Sequence, residues 1–166
     1  MKRYLLFFLL LAACTSSSEE THSTRERALT FFDTYKARSD WQAFQDLYAE
    51  NMVFEDVIFR YTYNKEEFIG FYNWPDPLLE KHPDYPEVLV LEDLATTDST
   101  AIGRGYFTPF YYSGKLYDDS EHMRFVISLH FDKQGKIKKH TDFIEYPPEF
   151  LVGVAERLLN DSTATN

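Results

Sequence analysis

The strongest constraint on the fold is the alternation around residue 125. Met123, Phe125, Ile127, Leu129 and Phe131 are apolar, and His122, Arg124, Val126, Ser128 and His130 between them are largely polar. A period of two sends successive side chains to opposite faces of a strand, so one face must be covered while the other meets water. Three more β-prone runs, 88–94, 101–112 and 136–146, accompany the run over 121–131. Ser113-Gly114 and Lys133-Gln134-Gly135 supply candidate hairpin turns. The second half of the chain therefore reads as an antiparallel meander with one face in need of a cover.

The cover lies upstream. Ala28, Leu29, Phe31, Phe32, Tyr35 and Ala37 recur at helical spacing among the charged residues of 24–38, with Thr24 a candidate N-cap. Ser39 or Asp40 caps a shorter helix carrying Trp41, Phe44, Leu47 and Tyr48. Residues 52–59 read as a first strand, and 65–74 as a return to helix. Prolines at 75, 77, 83 and 86 then force an irregular segment, placed to act as a lid. An amphipathic stretch over 147–159 closes the domain, and there is no internal repeat. This is an α+β pattern, helices packed on a curved antiparallel sheet.

Ahead of the domain, Met1-Lys2-Arg3 is a cationic start, and residues 4–13 are an apolar run ending in two alanines. Ten helical residues reach ~15 Å, about half of the ~30 Å hydrocarbon core, which suits an export signal better than a permanent span. Leu11-Ala12-Ala13-Cys14 resembles the bacterial lipobox, which implies cleavage before Cys14 and acylation of its thiol. Cys14 is the only cysteine, so the mature domain has no internal disulfide and no thiolate metal site. The expected layout is a signal peptide over 1–13, a polar tether over 14–23, one domain over 24–160 and a frayed tail over 161–166. Thr15, in place of an Asp directly after the cysteine, resembles lipoproteins sent to the outer membrane of Gram-negative bacteria, so the chain is expected in the cell envelope.

The full chain carries 17 basic and 27 acidic residues, a net charge of −10. Loss of Lys2 and Arg3 with the signal leaves −12. Such a surface repels phosphate backbones and anionic headgroups, so nucleic acid is not an expected partner and the membrane is reached through the lipid alone. Aromatic residues make up 17% of the chain, enough for a large core and for an aromatic-lined cavity.

The order helix, helix, strand, helix, meander is similar to the cone-shaped fold named for nuclear transport factor 2 (NTF2). Residues 48–56, Tyr-Ala-Glu-Asn-Met-Val-Phe-Glu-Asp, and 135–143, Gly-Lys-Ile-Lys-Lys-His-Thr-Asp-Phe, resemble recurrent phrases of its SnoaL-like branch. That branch holds polyketide cyclases, ketosteroid isomerases and limonene epoxide hydrolases. The resemblance spans about 24–159. It implies a deep pocket in which a carboxylate in apolar surroundings becomes a usable proton acceptor.

Measured against the isomerases, Asp56 matches the proton-shuttling base, but Phe32 stands where a tyrosine would stabilise an oxyanion. Measured against the epoxide hydrolases, Arg104 and Asp142 match the Arg and the last Asp of the site, whereas Tyr106, Phe54 and Asp56 depart from its remaining positions. Arg104 and Asp142 are then expected to pair across neighbouring strands. His140 and Asp142 share parity on the last strand, roughly 7 Å apart, as in cyclase-like members that abstract a proton beside a carbonyl. The candidate catalytic set is Asp142, His140 and Asp56. The candidate ligand-binding set is Arg104, Tyr106, Trp74, Tyr61, Tyr63 and Phe32. His122 and His130 lie too far apart on one strand to share a metal. No phosphate loop, dinucleotide fingerprint, zinc cluster or nucleophile elbow is present, so no cofactor and no metal is implied.

Three readings stay open. The cone binds a small, mainly apolar organic ligand; it runs cofactor-independent isomerase, cyclase or dehydratase chemistry; or it is a non-catalytic homodimer whose pocket is filled by its own aromatics.

Overall fold

Two local signals start the domain. The Ser23 hydroxyl accepts from the Glu26 backbone N–H at 3.2 Å, and the Glu26 carboxylate accepts from the Ser23 N–H at 2.7 Å. This capping box begins α1, Thr24–Ala37, one residue ahead of the expected cap. Thr24 instead donates its hydroxyl to the Asp98 carbonyl at 2.7 Å, tying the helix to the sheet. Asp40 accepts from the Ala43 N–H and starts α2, Trp41–Asp46.

The computed structural model describes residues 23–75, 78–118 and 123–155. The expected signal peptide, most of the tether, Cys14, His122 and the tail lie outside the described residues.

The remaining elements are β1, Tyr48–Asp56; β2, Tyr61–Tyr63; α3, Lys65–Tyr72; β3, Leu79–Lys81; β4, Leu89–Thr96; β5, Thr100–Phe107; β6, Phe110–Tyr112; β7, Lys115–Tyr117; β8, Arg124–Phe131; and β9, Ile137–Ile144. Residues 148–155 are helical. Six strands form one sheet in the order β2-β1-β9-β8-β5-β4, and β3-β6-β7 form a small second sheet. The expected strand over 101–112 breaks at Thr108-Pro109, because proline lacks the N–H that a ladder needs. Ser113 and Gly114, at φ 50° and 75°, then turn β6 into β7.

The α+β cone holds, with one pairing different from the expected antiparallel sheet. β1 runs parallel to β9, in register Phe54↔His140 and Asp56↔Asp142, so the sheet is mixed. The two strands are separated by most of the domain, and no turn dictates their relative direction. The consequence is functional: Asp56 and Asp142 stand side by side on the inner face.

α1 lies across that face. Ala28, Phe31, Phe32 and Tyr35 are buried in one core with Phe125, Ile127 and Leu129 of β8, Phe32 stacking on Phe125. The same core continues through Phe44, Tyr48, Phe54, Phe68 and Trp74, with Phe44 and Trp74 ring centroids only 4.2 Å apart. Each ring fully buried contributes about 1.5–3 kcal/mol, more where edges meet faces. β5 makes room by carrying glycine: a Cβ on Gly103 would lie 2.2 Å from Phe32 Cζ.

Candidate functional site

His140, Asp142 and Asp56 are at most 1% exposed. Buried polar groups need partners, and the partners here form a continuous chain. His140 Nε2 lies 2.7 Å from Asp142 Oδ1, and His140 Nδ1 shares a hydrogen bond with the Tyr48 hydroxyl at 2.9 Å. Tyr72 donates to Asp142 Oδ2 at 2.5 Å, and the Tyr35 hydroxyl donates to Tyr72 at 3.4 Å. Alongside, Asp56 Oδ1 accepts the Ile58 and Phe59 N–H groups at 2.9 and 2.8 Å, and Oδ2 accepts the Tyr146 hydroxyl at 2.8 Å.

The environment favours neutral forms. Burial pushes the Asp56 carboxyl up, the Asp142 charge adds to this, and the bonds from Phe59, Tyr146 and Ile58 oppose it. Burial, reinforced by the charge of Asp142, holds the phenols of Tyr35, Tyr48 and Tyr72 above their ordinary range. Tyr146 is raised by burial and by Asp56.

In front of this network lies a cavity of about 280 Å³. Tyr35, Tyr72 and Tyr146 form part of its wall, Tyr61, Tyr63 and Phe71 its partly exposed side, and Phe110, Phe150 and Val154 the side toward the second sheet and the 148–155 helix. Eleven of the described lining residues are aromatic. His140, Asp142 and Asp56 do not line it; they stand one layer behind, each carboxylate reaching the space through a tyrosine. Among the described residues no three His, Cys, Asp or Glu side chains converge to hold a metal.

The expected residues divide accordingly. The structure brings His140, Asp142 and Asp56 together, and Tyr61 and Tyr63 line the cavity. Arg104 is a correction. Its side chain is 64% exposed on the outer face and pairs with Asp93 through Nε at 2.6 Å, while β8 separates β5 from β9 and Asp142. Gly103 and Gly105 take the inward positions of β5, because Phe32 of α1 presses on Gly103, and the Val90 backbone and the Phe125 ring leave no room for a Cβ at Gly105. Tyr106 shares the outward parity of Arg104 and is likewise removed from the cavity. Phe32 is also a correction: it is a core ring stacked on Phe125 at 6.2 Å. Trp74 does not stack on the cavity; it is buried between Phe44, Trp41 and Tyr35.

Sequence reasoning passed over Tyr72, Tyr146, Tyr35, Tyr48 and Arg38. One signal was present: Tyr35 and Tyr72 follow Phe31 and Phe68 at i+4 on buried helix faces, and a buried tyrosine hydroxyl needs a partner.

No family model and no curated protein matches the chain in sequence. Solved structures do match it. A candidate SnoaL-like polyketide cyclase from Shewanella denitrificans superposes with a TM-score of 0.60 at 17% identity, covering 74% of this chain and 90% of that one. A candidate ketosteroid isomerase from Kribbella flavida gives 0.54 at 22% identity, covering 75% and 82%. A protein of ketosteroid isomerase-like fold from Catenulispora acidiphila, crystallised in complex with trimethylamine, gives 0.55 at 13% identity, covering 73% and 86%. The fold is therefore that of the NTF2-like, SnoaL-like cone proteins.

Proposed function

We propose that this chain is an exported, lipid-anchored domain whose cone holds a small, mainly aromatic or apolar molecule and reads its polar group through tyrosine hydroxyls. The observation that carries this reading is an accessible cavity of about 280 Å³ with two wall tyrosines, Tyr72 and Tyr146, each fixed by a buried carboxylate. A network serving only its own polarity needs no open space in front of it. The neighbour that binds trimethylamine supports a small-molecule role for the fold. Native mass spectrometry of the purified chain tests the reading. A co-purifying organic mass that is lost in Tyr72→Phe/Tyr146→Phe supports it; a cavity that takes up no one- or two-ring compound from a broad panel sinks it.

A second reading, proton-transfer catalysis, is favoured by the unbroken chain from Tyr35 through Tyr72 and Asp142 to His140 and Tyr48. A proton taken from the ligand by the Tyr72 oxygen would be matched by passage of Tyr72's own proton to the Asp142 carboxylate, with His140 holding that carboxylate in place. Asp142, His140 and Asp56 would then act through the tyrosines rather than on the substrate. Turnover of a carbonyl compound with a pH profile unchanged in Asp142→Asn would exclude this route.

Envelope anchoring rests on residues 11–14 and is checked by incorporation of labelled palmitate that disappears in Cys14→Ser. A second copy would dock on the outer sheet face, where Ile102, Val126 and Phe143 stand 46%, 39% and 46% exposed. Sedimentation of the wild type against Phe143→Lys distinguishes a two-chain from a one-chain mass.

A further inference from the structure

Among the described residues that line the cavity, Arg38 is the only ionic side chain. It is the C-cap of α1, in the left-handed region at φ 46°, and its backbone N–H donates to the Thr34 carbonyl at 3.1 Å. The guanidinium carbon sits 5.2 Å from the centroid of the Trp74 ring. No described carboxylate pairs with it. Lys36 pairs with Asp33 and Glu87, Lys65 with Glu50, Arg104 with Asp93, Arg124 with Glu92 and Lys139 with Glu55. The two acids of the network are already committed: Asp142 to His140 and Tyr72, Asp56 to two backbone N–H groups and Tyr146.

A guanidinium offers five N–H donors in a planar fork, and this half-buried one makes no side-chain hydrogen bond to a described residue, so its donors remain free for a ligand. Burial also pulls this group below its ordinary range, with the nearby Tyr35 and Tyr72 phenols opposing. At the wall behind, Tyr72 and Tyr146 spend their protons on Asp142 and Asp56, so their oxygens present lone pairs, and Arg38 is the cavity's strong donor. The size of the space sets a second limit. About 280 Å³ is roughly twice the ~150 Å³ that encloses one benzene ring.

We propose that Arg38 is a specificity-determining residue that binds the carboxylate of a one- or two-ring aromatic acid, rings against the phenylalanine and tyrosine walls and carboxylate on the guanidinium fork. The proposal rests on the cavity being a ligand site. The competing role for Arg38 is structural, a cation closing the C-terminus of α1 and stacking on Trp74.

Isothermal titration of the full chain with 2-naphthoate and the neutral 2-naphthamide separates these. The wild type is expected to bind 2-naphthoate about tenfold more tightly, with a preference that shrinks as salt is raised. In Arg38→Met and Arg38→Gln, each checked by circular dichroism, the preference disappears while 2-naphthamide binding stays. Arg38→Lys retains part of it. Equal affinity for the two probes in the wild type, or an equal loss of both in folded Arg38 variants, overturns the role of Arg38 and leaves the cavity as a binding site. Failure of the wild type to bind either probe overturns the aromatic-acid role of Arg38, and the broad panel of one- and two-ring compounds then decides whether the cavity is a ligand site at all.

Discussion

Tyr72 donates its phenolic proton to Asp142 across 2.5 Å, joining the cavity wall to a carboxylate that is 1% exposed. The bond crosses 70 residues of sequence and links α3 to β9. Hydrogen bonds to charged groups contribute about 1.5–3 kcal/mol each, and a buried acceptor stripped of its donor loses that and its solvation. Tyr72→Phe should therefore lower stability by about 1.5–3 kcal/mol in urea unfolding. Tyr35→Phe, which removes only the 3.4 Å bond to Tyr72, should cost less. Equal midpoints for Tyr72→Phe and wild type would mean that Asp142 does not depend on this donor.

Asp56 gives a pH dependence of defined sign. Its folded pKa is raised above the ordinary 3.8, first by burial and further by Asp142. Within the window between those values the native chain holds a proton that the unfolded chain has released. The contribution of Asp56 to stability is thus greatest below the window and is lost as pH rises through the folded value. Asn mimics the protonated acid, so Asp56→Asn should gain on the wild type as pH is raised from about 4 toward neutrality. Paired denaturation curves across that range check this; a variant that loses ground with rising pH contradicts it.

The contact between Gly103 and Phe32 should be tight enough to show in a double mutant. A methyl at Gly103 meets the Phe32 ring at 2.2 Å, so Gly103→Ala should destabilise by about 1–3 kcal/mol. Phe32→Leu alone should cost a similar amount through lost packing. Together they should cost less than their sum, because the shorter side chain clears the new methyl. Strict additivity in thermal or urea unfolding would show that the two sites do not touch.

Arg104→Ala should be nearly silent. The Arg104–Asp93 pair is exposed on the outer face, where ion pairs contribute about 0–1 kcal/mol. Ligand affinity should be unchanged, in contrast to Arg38→Met. A loss of binding in Arg104→Ala would return that residue to the site.

The local chemistry of the chain decided the helices, the strand periods and the shared parity of His140 and Asp142, because these depend on neighbours one to four residues apart. His140 and Asp142 were legible as a pair for that reason, while Asp56 was singled out only through its match to the isomerase base. Tertiary structure decided the rest. Along 101–107, Ala, Gly, Gly and Phe alternate with Ile, Arg and Tyr, and by hydrophobicity either set could face inward. The inner face went to the small set only because Phe32 and Phe125 already fill the space beneath it. The parallel approach of β1 to β9, and the arrival of Arg38, Tyr72 and Tyr146 around one cavity, likewise depend on contacts between residues far apart in sequence, which are fixed by packing and not by any local pattern.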